Sequence, residues 1–352
     1  MPKKKVAVAM SSGVDSSLAA FLLKDADYDV SGFHIKLWAD PNYKNNISVL
    51  EQTCKSLDIP LYKLNLEAEF QKLVIDDFCQ EYRLGRTPNP CIICNQRVKF
   101  GLLLSRVLEM GADYLATGHY AQIKYLSTGY SLLKAADSTR DQAYFLYTLG
   151  QRELKHLLFP LDALYKVEVR RLAAEVGLIT SSQLDSRDIC FIPDSNYRAF
   201  ITEHITLEPG DIIDTSSKIL GKHDGLALYT VGQRQGLGLS SNERLYVLKL
   251  DTTDNRLVVG TRDQLLSTRL IASKLNWVSG KPPSELKNIT AKIRYQSPEV
   301  PAKLYINDGT AEIELLKPQS AITPGQAIVF YRGDEVLGGG IIEDKEPPLR
   351  ES

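Results

Sequence analysis

The stretch Val6-Ala7-Val8-Ala9-Met10-Ser11-Ser12-Gly13-Val14-Asp15-Ser16-Ser17 constrains this chain more than any other. Val6, Val8 and Met10 form a short apolar run of the kind a strand covered on both faces shows. Leu18, Phe21 and Leu22 recur at helical spacing directly afterwards. The small residues between them let backbone amides converge at a helix N-terminus. Unpaired donors and the helix dipole make such a corner an anion site. No lysine follows the glycine, so this is not the loop that holds terminal phosphates through a Gly-Lys-Ser/Thr ending. The bland alternative is an ordinary strand–turn–helix corner, because Ser and Gly are common in turns.

The alternation continues. Val30 to Trp38 reads as a second strand, Ile47 to Leu57 as a helix, Leu61 to Leu66 as a third strand and Glu67 to Tyr82 as a third helix. Such alternation predicts a doubly wound parallel sheet, an α/β fold. Tyr114 to Tyr120 reads as a further strand with Gly118 and His119 at its carboxyl end, the edge where open α/β sheets bind ligands. Tyr165 to Val176 is an amphipathic helix closed by Gly177. From about Ile205 the helical periodicity gives way to short β-rich runs. Ile289–Tyr295, Val300–Ile306, Thr310–Leu316, Gln326–Tyr331 and Val336–Ile342 are candidate strands of a separate small β-barrel. A chain of 352 residues exceeds a typical single core. The changes of texture divide it at 1–204, 205–267 and 268–352, and residues 345–352 read as a polar tail.

Net charge is −1, which argues against whole-molecule attraction to nucleic acid but leaves local basic patches open. No apolar run approaches membrane-spanning length, and Met-Pro-Lys-Lys-Lys leads straight into the first strand, so a cytoplasmic location with no membrane partner is expected. The five cysteines are an odd number, pointing in a cytosolic chain to thiol chemistry or metal, not a disulfide scaffold. Cys54 lies on an apolar helical stripe with Leu50 and Leu57 and reads as core, and Cys79 likewise. Cys91-x-x-Cys94 follows a segment broken by Pro88 and Pro90 and opens a helix whose Phe100, Leu103, Leu104, Val107 and Leu108 fall at core spacing. At a helix start the dipole favours a thiolate, and Arg97 and Lys99 add positive charge near Cys94. Cys190 sits in the apolar run of Ser186 to Pro193. A Cys-x-x-Cys alone is open between redox pair, metal ligands and accident. With no second such pair and five scattered histidines, a closed zinc site is disfavoured.

Ser11-Ser12-Gly13-Val14-Asp15-Ser16 resembles the loop of the ATP pyrophosphatases, the PP-loop family. Together with Thr87-Pro88-Asn89-Pro90 through Phe100, Ala116 to Ala121, Asp141-Gln142, Ile189 to Ile192, Tyr229 to Gly238, Arg294-Tyr295 and Thr323 to Gln326, it makes the chain similar to the tRNA-specific 2-thiouridylases of the MnmA type. These stretches span nearly the whole chain in the family's order. The resemblance implies a PP-loop (adenine nucleotide alpha hydrolase-like) domain, a small central domain and a C-terminal β-barrel that binds tRNA. It implies an enzyme, a tRNA-uridine 2-sulfurtransferase. ATP with Mg²⁺ would adenylate the wobble uridine, position 34 in tRNAs for Lys, Glu and Gln, and sulfur would displace AMP. By position, Cys94 matches the family's nucleophile and Cys190 its persulfide carrier, supplied by a cysteine desulfurase or sulfur-relay protein. Transfer would leave a disulfide bond between the two thiols. Ala9, Met10, Ser11, Ser12, Gly13, Val14, Asp15 and Ser16 would cradle the nucleotide, with Asp15 helping to hold the ion. Ile35 and Gly118 match adenine and ribose positions. Asn89, Pro90 and Cys91 match the segment that meets the target base, which must flip to react. His119, Arg140, Asp141, Gln142, Arg294, Tyr295 and Gln326 match tRNA-contact positions, and Lys292 joins Arg294 and Tyr295 on one short strand.

Two departures from the family pattern matter. Ser12 replaces a glycine, which costs about 1 kcal/mol if the position needs positive φ. Cys91 stands where many relatives carry Asp. With Cys94 and Cys190 it forms a trio able to ligate an iron–sulfur cluster of the [4Fe-4S] type, which would then present sulfur in place of a persulfide. Two other functions compete: a synthetase of the argininosuccinate or amidotransferase type, which needs no cysteine pair, and a tRNA-binding or sulfur-carrier protein without ATP cleavage.

Overall fold

The computed structural model describes residues 2–127, 129–182, 189–192, 196–240 and 243–344. The parts of the Ser186 to Pro193 run at 186–188 and 193, and the tail at 345–352, lie outside the described residues.

The first domain follows the expected alternation. Strand β1 (Lys5–Ala9) leads into helix α1 (Val14–Asp25), β2 (Asp29–Lys36) into α2 (Tyr43–Ser56), and β3 (Leu61–Asn65) follows. Strand β4 (Tyr114–Ala116), a hairpin of β5 (Gln122–Leu126) and β6 (Gly129–Leu133), and β7 (Leu157–Leu158) come later. The first sheet has the order β3-β2-β1-β4-β7, and all its pairs are parallel. Strand β1 is covered on both faces. Val6 and Val8 pack with Leu18, Leu50 and Val169, while Ala7 packs with Phe100, Leu103 and Val107. The chain runs outward from β1 in both directions, so the crevice between β1 and β4 is the switch point where such sheets bind ligands.

Two long helical segments depart from regular α geometry. Helices α3 (Glu67–Phe70) and α4 (Asp76–Arg83) flank a π-helical stretch at Gln71–Ile75. Helices α5 (Pro90–Ile93) and α6 (Leu104–Glu109) flank another at Cys94–Leu103. The expected strand at Tyr114 to Tyr120 ends at Ala116, and Thr117 to Tyr120 form a loop over the sheet edge. After α7 (Gln151–Leu154), α8 (Lys166–Glu175) packs against α1, and α9 (Tyr197–His204) follows, its Phe200 and Ile201 clustering with Ile212 and Leu228 of the middle section.

The middle section forms a four-stranded sheet from β8 (Gly210–Ile213), β9 (Ile219–His223), β10 (Tyr246–Asp251) and β11 (Arg256–Gly260), in the order β10-β11-β8-β9. The last section contains β12 (Leu266–Trp277), β13 (Thr290–Lys292), β14 (Val300–Asn307), β15 (Thr310–Ser320), β16 (Ala327–Arg332) and β17 (Glu335–Ile342). These six run β12-β15-β14-β13-β16-β17 and close into a barrel through a β12–β17 pairing. The barrel is not separate from the first domain. Hairpin β5–β6 pairs onto β17, with Val336 opposite Leu132, and extends the barrel's sheet from within the first 204 residues. Among the described residues no helix is long and apolar enough to cross a membrane.

Candidate functional site

The loop between β1 and α1 is braced by its own serines. Ser16 Oγ accepts from Ser11 N at 3.1 Å and donates toward the carbonyls of Ser11 and Gly13 at 3.1 and 3.2 Å. Ser11 Oγ accepts from Gly13 N at 3.1 Å. Helix geometry leaves the amides of the first turn of α1, at Val14, Asp15 and Ser16, without intrahelical acceptors. Ser12 is not among the residues of positive φ, so the feared cost of replacing glycine does not arise. Its hydroxyl donates to Asn46 Oδ1 at 3.4 Å.

Gly118 explains itself by contact. A Cβ there would lie 2.9 Å from Asp15 C and 2.9 Å from Ser16 N, so only glycine lets the loop after β4 press against the loop after β1. His119, next along, turns away. Its ring lies 5.6 Å from that of Phe100 and 6.0 Å from that of Phe159, and Nδ1 shares a 2.7 Å hydrogen bond with Thr117 Oγ1. Burial there holds its pKa well below the ordinary histidine range, so the imidazole is neutral.

Asp15 has two partners that the sequence did not announce. Lys166 Nζ reaches its carboxylate oxygens at 2.8 and 2.7 Å, and Tyr120 OH donates to Oδ1 at 2.7 Å. Lys166 starts α8, where its amide donates to Asp137 Oδ2 at 2.9 Å. A lysine at a helix start reads as a solvated charge; here its side chain is only 9% exposed. The Asp15 carboxylate is thus engaged from two sides, and among the described residues no group of three His, Cys, Asp or Glu is arranged to hold a metal.

The thiols lie at the next part of the sheet edge. Asn89 caps α5 by accepting from Cys91 N at 3.2 Å, and Pro90 occupies the first helical position, where its missing N–H costs nothing. Cys94 then opens the π-helical stretch; such stretches often mark functional sites. Cys94 is buried in a cluster with Leu37, Val98, Phe191 and Ile192, and Ile35 packs against the same cluster. Phe191, the residue after Cys190, thus shares a buried core with Cys94. Cys91 and Cys190 are exposed, and all five cysteines are free thiols. The expectation of a thiolate at Cys94 is corrected. Desolvation pushes its pKa up and outweighs the opposing charge of Lys99, while Arg97 is drawn to Asp77 at 3.5 Å. Cys190, exposed by area yet crowded by neighbours, is pushed up to about 12, first by desolvation and then by Cys94 and Cys91. Those couplings put three sulfurs in one neighbourhood. As placed they are not grouped to ligate a metal, so the trio does not fit an iron–sulfur cluster and no step is derived through one.

A third region joins the first domain to the barrel. Gln326 Nε2 donates to Thr87 O at 2.7 Å, and Gly325, at φ +89°, passes so close that a Cβ would sit 2.8 Å from Thr87 N. Gln326 thus clamps the segment leading to the thiols. Gln142 is tied to Tyr120, accepting its amide at 3.0 Å, and Asp141 accepts the amides of Ala135 and Ala143 at 3.0 and 3.2 Å. Both serve the local turn. The Tyr295 ring lies 4.4 Å from that of Phe145, and Lys292 Nζ is 5.9 Å from its centre. Arg140 acts on Tyr295 electrostatically and Lys292 on Asp141, and Arg294 is exposed.

The parts define a class: a parallel α/β domain with an anion loop at its switch point, buried and exposed thiols beside it, and two β domains appended. Comparison with known proteins narrows it. Residues 4–194 match the model of a tRNA methyl transferase HUP domain, 198–261 a tRNA methyl transferase PRC-barrel domain and 267–342 an aminomethyltransferase beta-barrel domain. The tRNA-specific 2-thiouridylase MnmA of Geotalea uraniireducens is 46% identical over 97% of this chain and 95% of that protein. Its counterparts in Lachnoclostridium phytofermentans and Dehalococcoides mccartyi are 44% and 45% identical, each over 96% of this chain and 99% and 96% of theirs. The U34-tRNA thiolase NcsA from Methanococcus maripaludis, solved with its [4Fe-4S] cluster, is 19% identical with a TM-score of 0.37, covering 57% of this chain and 62% of its own. That likeness is too loose to carry an argument. The chain belongs to the MnmA family of tRNA-specific 2-thiouridylases.

Proposed function

We propose that this chain replaces the C2 oxygen of the wobble uridine, position 34 in tRNAs for Lys, Glu and Gln, with sulfur, in two steps that its two sheet-edge corners divide between them. In the first, ATP lies with its phosphates on the amides and hydroxyls of Ser11 to Ser16, its adenine beside Ile35 and its ribose beside Gly118. The uridine C2 oxygen attacks the α-phosphorus, the α–β bridging bond breaks, and pyrophosphate leaves with the electron pair. The N3 proton passes to solvent. Carbon C2 now carries AMP, a far better leaving group than oxide. Mg²⁺ bound to the nucleotide would screen phosphate charge there.

In the second step the outer sulfur of a Cys190 persulfide attacks C2 and expels AMP. Cys94, after giving up its proton to solvent, then attacks the inner sulfur of Cys190. The S–S bond breaks, its electron pair stays on the sulfur attached to C2, and a Cys94–Cys190 disulfide forms. An external dithiol restores both thiols, and a cysteine desulfurase or sulfur-relay protein recharges Cys190. Arg140, Lys292, Arg294 and Tyr295 offer phosphate-pairing charge and a stacking ring for the tRNA. Asn89, Pro90 and Cys91 stand where the target base would meet the thiol helix.

The observation that supports this reading is that Cys94 and Phe191, the residue after Cys190, belong to one buried cluster against which Ile35 packs. The test is incubation with ATP, a desulfurase-charged sulfur donor and unmodified tRNA, followed by nucleoside analysis. The expected result is 2-thiouridine in the three named tRNAs, with one AMP per thiolated base. ATP-independent thiolation, or AMP release without thiolation by charged protein, contradicts it.

A further inference from the structure

Residues Leu84 to Asn89 join α4 to α5 and so decide where the helix of Cys94 begins. The connection is stiff at its far end. Proline locks φ at Pro88 and Pro90, and Asn89 between them is fixed as the cap of α5 through Cys91 N at 3.2 Å. A displacement at Thr87 therefore passes along to Cys91 and Cys94 instead of being absorbed. Thr87 itself is held from the barrel. Its amide donates to Pro324 O at 2.8 Å, and its carbonyl accepts from Gln326 Nε2 at 2.7 Å.

Beside it, the Arg86 guanidinium forks between two carboxylates. Nε lies 2.7 Å from Glu81 Oε2 in α4, and Nη1 donates to Glu343 Oε2 at 2.8 Å, just past the end of β17. All three side chains are mostly enclosed, Arg86 at 16% exposed, so solvent screens these pairs little. Glu343 is anchored on the barrel. Ser273 Oγ donates to its Oε1, and its amide donates to Ile271 O at 2.9 Å. We propose that Arg86 is a positioning residue for sulfur transfer: it ties the connection to Glu343, so that the barrel sets where Cys94 stands against the Cys190 persulfide. This rests on the reading that the two thiols carry out the second step.

Two features separate this from a general structural tie. The phosphate loop is braced by its own serines and by the loop of Gly118, so the Arg86 pairs bear on the thiol corner and not on adenylation. Each carboxylate also keeps a partner when Arg86 is lost: Ser273 for Glu343, and Lys274 Nζ at 4.0 Å for Glu81. The step that depends on placement is the attack of Cys94 on the inner sulfur, which must come in line with the S–S bond. By then the outer sulfur has joined C2, and the base is linked to Cys190 through that bond. A displaced Cys94 breaks the bond late, and the linked base accumulates.

The experiment is a single turnover at saturating tRNA, without reductant, by protein charged on Cys190. It follows AMP release, 2-thiouridine, and a protein–tRNA adduct that a dithiol cleaves. In Arg86→Gln, AMP release is expected within about twofold of native and 2-thiouridine formation about tenfold or more slower, with adduct in place of the missing product. Glu343→Gln removes the charge at the same shape and is expected to show the same pattern more weakly. The double variant is expected to be no slower than Arg86→Gln, since the two residues act through one contact. A merely structural role lowers AMP release and thiolation together and leaves no adduct; that result overturns the proposal. Native thiolation in Arg86→Gln does so too, as does a double variant slowed by the product of the single effects. If Arg86→Gln does not fold, the Glu343→Gln pattern decides alone. Unaltered charged protein that forms no 2-thiouridine defeats the thiolation reading itself and the inference with it.

Discussion

The phosphate-loop corner and the thiol corner share one sheet edge but are built on opposite plans. The first is braced before any ligand arrives. Serine hydroxyls lock the loop, Gly118 lets a second loop press onto it, and Asp15 is held from two sides. The second is assembled from separate segments and left open. Cys94 is buried, Cys91 and Cys190 are exposed, and no bond joins them. Charge chemistry on phosphate profits from fixed donors, since preorganisation spares reorganisation at the moment of reaction. Sulfur transfer needs thiols that accept cargo, react and separate, so a fixed link would stop the cycle.

That contrast can be broken in several places. The largest effect should come from Cys94→Ser or Cys190→Ser, each lowering thiolation by several orders of magnitude while tRNA-dependent formation of the adenylated base survives. Loss of adenylation in the same variants would show that the two corners are not separable. Next is the pH response of the buried thiol. Because desolvation raises the Cys94 pKa, alkylation of Cys94 should climb about tenfold per pH unit from about pH 7 to about pH 9 with no plateau. A plateau below about pH 8 would restore the thiolate expected from the helix start. Gly118→Ala forces a methyl against the Asp15 backbone and should cost about 1–3 kcal/mol in thermal unfolding, with weakened ATP binding. The smallest effect belongs to Ser12→Gly, within about 0.5 kcal/mol, because Ser12 has no positive φ to relieve.

Legibility in the sequence followed the same division. The loop was readable because strand, turn and helix are consecutive, and their periodicities of two and of 3.6 meet at Ser11 to Gly13. The core roles of Cys54 and Cys79 were readable from helical spacing, and both are buried. Lys166 was not, because nothing local marks a lysine that is to be desolvated by a loop 151 residues upstream. The hairpin Gln122–Leu133 escaped for a similar reason: its pairing partner, β17, lies about 200 residues later, and its own alternation is weak. Asn89 was visible as part of a motif, but its local duty as a helix cap emerges only once α5 is seen to begin at Pro90. The charge on Cys94 was misjudged because dipole and basic neighbours can be counted from sequence, whereas the burial that outweighs them comes from a core gathered from distant segments, Leu37, Val98 and Phe191 among them.

The most direct test is a single turnover in which the protein, charged with one persulfide on Cys190, meets ATP and unmodified tRNA without reductant, and its peptides are then mapped by mass. The account predicts a Cys94–Cys190 disulfide appearing in step with 2-thiouridine, one for one. Full thiolation with residues 94 and 190 both recovered as free thiols would contradict it.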